Sequence, residues 1–148
     1  MLRQYLVGAG ASMCNIAIHA LVMVALIKVT RIADELATTY QTLRLIAVMM
    51  AAVTVLMIAH LAEVLVWSLT YAVFSVAPEG SDVAYFAFVN YTTLGYGDVT
   101  PAVRWHLLGP MTAMNGVLLF GWSTAVIFEV LRMTLLVSGE GENPGWPK

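Results

Sequence analysis

Thr92-Thr93-Leu94-Gly95-Tyr96-Gly97-Asp98 sets two glycines between bulky residues, directly after a threonine pair, in a part of the chain that is otherwise membrane-like. Such a segment is poor as a helix, where each glycine costs about 1 kcal/mol. It is equally poor as a lipid-facing strand, because unpaired backbone is not tolerated in hydrocarbon. What it offers is its backbone. Gly95 and Gly97 permit angles closed to other residues, so that successive carbonyls can face one axis. A second group of residues offers proton chemistry. His60 and Glu63, at i and i+3, share a helical face with Trp67 and Tyr71, and Ser12, Asn15 and His19 recur at i, i+3 and i+7. Imidazole titrates near neutrality, and a carboxylate at mid-membrane must be paired or protonated.

The composition says where these groups sit. Sixty per cent apolar and 11 per cent charged residues exclude an ordinary soluble domain and indicate an integral membrane protein. The seven basic residues are scattered and form no patch, so no nucleic-acid partner is expected. Cys14 is the single cysteine, which rules out an intrachain disulfide. No phosphate loop, zinc-ligand spacing or nucleophile–base pair suggests an enzyme or an organic cofactor. No segment carries Arg or Lys at every third position, so no voltage-sensor helix is expected.

The elements follow from the apolar runs. Residues 1–29 are expected to form a first transmembrane helix, since the run from Tyr5 to Val29 outlasts a secretory h-region of roughly 7–15 residues. Gly8, Ala9, Ala11 and Ser12 would let another helix approach it closely. Residues 30–44 break the pattern with Arg31, Asp34, Glu35 and Arg44 and predict an interfacial helical linker at the membrane surface. An outer helix over 45–77 would be near 50 Å long, exceeding a bilayer core of about 30 Å, so it should tilt or project. Pro78-Glu79-Gly80-Ser81-Asp82 ends it, and Ser81 or Asp82 can cap a short helix over 83–92 that cannot span. Residues 107–137 form the third span, and 138–148 a tail expected to be disordered.

The seven residues from Thr92 to Asp98 resemble the selectivity filter of potassium channels, Thr-Thr-Val-Gly-Tyr-Gly-Asp, except at Leu94. The resemblance extends to Tyr85-Phe86, where channels often carry Trp-Trp, to Pro101, and to Gly116 and Gly121 of the last span. It implies a pore domain over 45–137, in the short bacterial type with one extra N-terminal transmembrane helix. The implied fold is an all-α membrane protein: three transmembrane helices, with a re-entrant pore helix and filter loop between the second and third, closing as a homotetrameric pore. K+ would be held at Thr93, Leu94, Gly95 and Tyr96, with Gly97 completing the filter (residues 93–98). Its carbonyls would replace the ion's hydration shell. Tyr85, Phe86, Val89, Thr92 and Asp98 would support it. Val89 stands where some channels place a Glu that bonds the filter Asp, so Asp98 needs another partner, for which Tyr85 is a candidate. Glu79, Asp82 and Asp98 would ring the outer mouth.

The function implied is passive, potassium-selective conduction across the bilayer of a cell (inner) membrane, with the N-terminus outside and both the linker over 30–44 and the C-terminus cytoplasmic. The alternatives are a non-selective cation channel and a non-conducting regulatory subunit. Gly116 lies where this family commonly bends its inner helix, although a small residue there serves close packing equally well. His19, His60 and Glu63, with Trp122, Ser123 and Thr124 expected at similar depth, leave three readings open: a polar layer locking the helices, a proton sensor, and a metal site. Glu129 and Arg132, at i and i+3, predict an interfacial ion pair.

Overall fold

The computed structural model describes residues 1–35 and 41–137, with only the backbone described for Val29, residues 31–35 and Val137. These residues form four α-helices and one 3₁₀ turn, with no strand among them. The helices are α1 (Leu2–Glu35), α2 (Gln41–Phe74), α3 (Val83–Tyr91) and α4 (Leu108–Val137). α1, α2 and α4 are each long and apolar enough to cross a membrane. α1 packs on both α2 and α4, and α3 sits between α2 and α4.

Each long helix buries a single stripe at spacings of three and four. On α1 it runs Gly8, Ala11, Asn15, His19, Met23, Leu26 and Thr30; on α2, Ala52, Leu56, Ala59, Glu63, Trp67 and Tyr71; on α4, Leu108, Thr112, Asn115, Leu119, Ser123, Val126, Val130 and Thr134. These stripes carry the buried polar residues, whereas the outward faces are dominated by further Leu, Val, Met and Ile side chains. A membrane selects this arrangement, because lipid tails are as apolar as leucine and helices are joined by small and polar residues instead. The interior therefore has three layers. One apolar cluster surrounds Trp67, Tyr71, Phe86, Tyr91 and Trp105. A second joins Met23, Leu26, Leu56, Val126 and Val130. The polar groups of His19, His60, Glu63 and Ser123 lie between them.

The helix ends differ from the sequence expectation for local reasons. α1 passes through Thr30, because the Thr30 hydroxyl donates to the Leu26 and Ile27 carbonyls and leaves the helix intact. The helix thus enters the segment expected as linker, whose residues 36–40 lie outside the described region, as does the expected disordered tail over 138–148. α2 starts at Gln41 and stops at Phe74 rather than running 45–77. Ser75 adopts φ 50°, the Ser75 N–H bonds Ala72 O at 3.3 Å, and the Val76 N–H bonds Tyr71 O at 2.9 Å. That pair of bonds is a Schellman cap, with buried Val76 as its apolar contact. Asp82 caps α3 by accepting from the Ala84 and Tyr85 N–H groups at 3.0 Å each.

The start of α1, the end of α2 and the entry to α4 meet at one end of the bundle. The Arg3 guanidinium lies 5.2 Å from the Trp105 ring centroid, the Leu107 N–H donates to Gln4 Oε1, and the Ala102 N–H donates to Val76 O. At the opposite end Arg44 Nη2 donates to the Thr134 carbonyl.

Candidate functional site

α3 descends from the first end to the level of the polar layer, and the chain then returns. The loop starts by folding onto the end of α3: the Thr93 N–H donates to Asn90 O at 3.1 Å, and the Leu94 N–H to Val89 O at 2.9 Å. Thr93, Gly95 and Gly97 take φ of 61°, 58° and 77°. Left-handed angles at alternate positions turn the peptide units of a short loop over in a regular way that neither helix nor strand does. Glycine supplies two of these angles without steric cost; Thr93 supplies the third with a side chain in place. Thr92 to Asp98 all lie exposed on the surface of the single chain. Leu94 and Tyr96 are uncovered as well, at 53 and 68 per cent exposure.

At the far end of the loop the Tyr85 hydroxyl donates to Asp98 Oδ2 at 2.8 Å. That bond holds the phenol above the ordinary tyrosine value, since it favours the protonated donor. Phe86 and Val89 are buried on the inner face of α3, and the Thr92 hydroxyl is turned back to the Phe88 carbonyl. Of the three carboxylates expected at the mouth, Asp82 is occupied as a helix cap and Asp98 by Tyr85, while Glu79 is exposed.

The polar layer is a closed circuit. His19 Nδ1 lies 2.6 Å from Glu63 Oε1, and His60 Nδ1 lies 2.9 Å from Glu63 Oε2. The two Nε2 atoms meet at one hydroxyl: Ser123 Oγ is 3.0 Å from His60 and 3.3 Å from His19. The Tyr91 hydroxyl donates to Glu63 Oε2 and also touches His60 Nδ1. Trp122 and Phe120 cover the histidines, with ring centroids 5.3 Å from His19 and 4.6 Å from His60. Nitrogen and oxygen atoms of His19, His60 and Glu63 lie within 4.8 Å of one another, as a metal site would require. Each already has a hydrogen-bond partner, however, so the trio is satisfied as a hydrogen-bonded ring.

A second knot lies one turn away. Asn15 Nδ2 donates to Glu63 O and to Asn115 Oδ1, which also accepts from Trp67 Nε1 at 3.0 Å. Asn115 therefore faces α1 and α2. Thr124, expected in the layer, instead faces outward and bonds its own Phe120 carbonyl. Ser12 lies beside the buried stripe, with its hydroxyl lacking a partner. The Tyr91 link was missed from sequence, because a short helix gives no signal of its depth beside a long one. Gly116 is held by close approach: a Cβ there would overlap the Tyr91 carbonyl oxygen. Glu129 and Arg132 form the expected pair at 3.1 Å, exposed near the end of α4.

Three helices long and apolar enough to cross a membrane, packed with a short helix that ends in an exposed glycine loop, have the layout of a multi-pass membrane protein. A family model described as ion channel matches residues 59–133, just over half of the 148-residue chain, and the chain belongs to that ion-channel family. No curated protein and no solved structure matches it. The matched segment runs from within α2 to near the end of α4 and leaves α1 outside.

Proposed function

We propose that the protein is a potassium-selective channel, conducting K+ passively through a ring of four Thr93–Gly97 loops and having no voltage sensor. The observation that carries this reading is the alternation of left-handed angles at Thr93, Gly95 and Gly97 on a surface-exposed Thr-Thr-Leu-Gly-Tyr-Gly stretch. In such a loop, carbonyls directed to one side can replace the hydration shell of a cation. The exposure of Leu94 and Tyr96 supports a homotetramer, in which neighbouring subunits cover them. An open groove of about 490 Å³ beside the loop, bordered by Thr93, Gly95, Pro101 and His106, would receive part of that neighbour. Here α3 is the re-entrant pore helix, Tyr85 and Asp98 brace the outer end of the filter, and the C-terminus is cytoplasmic. The N-terminus and the filter mouth share the outer face of a cell membrane. Arg3, an outlying positive charge for an external end, is accounted for by its seat on Trp105.

Purified protein in liposomes provides the test. Potassium flux exceeding sodium flux and blocked by barium is expected. Equal fluxes would indicate a non-selective cation channel, and no flux a non-conducting subunit.

A further inference from the structure

The ring of His19, His60, Glu63 and Ser123 has a proton count fixed by its contacts. Its four contacts run from Glu63 to His19, to Ser123, to His60 and back to Glu63. Four hydrogen bonds need four protons. Two neutral imidazoles and one hydroxyl supply three, and an ionised carboxylate supplies none. With three protons one contact of the ring has no hydrogen, either at Ser123 or at the His60–Glu63 edge where the Tyr91 hydroxyl also lies, and the cluster keeps a net negative charge between two apolar layers. A fourth proton satisfies every contact and makes the cluster neutral, whether it rests on an imidazole or on Glu63. A fifth would make it cationic. At a site where isolated charge is expensive, the four-proton state is the stable one.

We propose that this ring is an intramembrane proton-binding site that takes up one proton per chain, and that its occupancy ties the extra helix α1 to the filter. The groups facing it come from every helix: His19 from α1, His60 and Glu63 from α2, Tyr91 from α3 and Ser123 from α4. Tyr91 is the link. Its hydroxyl is bonded to Glu63, its carbonyl abuts Gly116, and Thr93 follows two residues later. His60 is the entry point, with its side chain 13 per cent exposed beside a cavity of about 220 Å³ that also borders Tyr91 and Phe120. Glu63 and His19 are fully buried. Loss of the proton at alkaline pH leaves a net negative charge and one failed contact among the helices that flank Tyr91, shifting the ring against the end of α3 and lowering conduction. The titration belongs to the ring as a whole rather than to a single residue.

Glu63→Gln provides a decisive variant, because its amide supplies the fourth ring proton permanently and is neutral. Two readouts separate the site from the channel reading on which its effect on conduction rests. In difference titrations of the detergent-solubilised protein, wild type is expected to release one proton per chain more than Glu63→Gln between neutral and alkaline pH. In liposomes, wild-type potassium flux is expected to fall on the alkaline side. The limit is about tenfold per pH unit for each ring, as one proton allows. In Glu63→Gln the flux becomes independent of pH over that range, and Ser123→Ala, which opens the ring, shifts the alkaline fall toward neutrality. A titration difference of zero overturns the proton site, even if the protein conducts nothing. One release step combined with a flux profile shared by wild type and Glu63→Gln overturns its coupling to the filter.

Discussion

At the scale of single residues, the proposed filter would depend on side chains that do not line it. Tyr85 is one. Its hydrogen bond gives Asp98 a side-chain partner that Val89, buried and apolar, could not supply. The bond raises the acid constant of the phenol, so its contribution is whole at neutral pH. It is lost as pH rises past the ordinary tyrosine value of about 10 and through the raised one. Tyr85→Phe should remove the bond and shorten the time over which the channel sustains potassium flux, measured in liposomes under a constant gradient. A spectrophotometric difference titration against the same variant should show one phenol ionising above that ordinary value. Unchanged flux decay in Tyr85→Phe would mean that Asp98 is steadied by another group.

At the scale of helices, the seams are set by small and polar residues. Gly116 allows α4 to touch the end of α3, and the cost of adding a methyl there should be that of overpacking, about 1–3 kcal/mol. Gly116→Ala should therefore lower the thermal midpoint in detergent. Gly121→Ala, at a position with open space around it, should not. Asn15→Leu removes two hydrogen bonds from α1 to its neighbours and should destabilise the fold by about 1–3 kcal/mol, read in the same melts. Much of this architecture was legible in advance. The apolar runs gave the three long helices, and the spacing set Asn15 with His19, and His60 with Glu63, on shared helix faces. Other features were not legible. Thr30 and Ser75 moved helix ends by choosing hydrogen bonds that propensity does not anticipate. Thr93 adopts a left-handed angle that its side chain disfavours. The meeting of Tyr91 with Glu63, and of Asn115 with Asn15 and Trp67, depends on relative depth and rotation, which periodicity along one helix does not encode.

At the scale of the whole molecule, the exposed loop and its flanking groove are incomplete in one chain, and the proposed pore requires four. Cross-linking in native membranes, or the mass of the detergent-solubilised particle after correction for bound detergent, should report four 16.1 kDa chains. A monomer that still conducts would refute the proposed assembly. α1 also carries an architectural consequence. The segment recognised as the channel family begins at residue 59, yet the carboxylate at position 63 has its buried partner at position 19. A boundary drawn by ancestry thus cuts through a chemical unit. Without the first span, Glu63 would keep His60 and Tyr91 on Oε2 but lose the partner of Oε1 at membrane depth. The first span is thus no detachable accessory but one half of a bond whose other half lies inside the recognised segment.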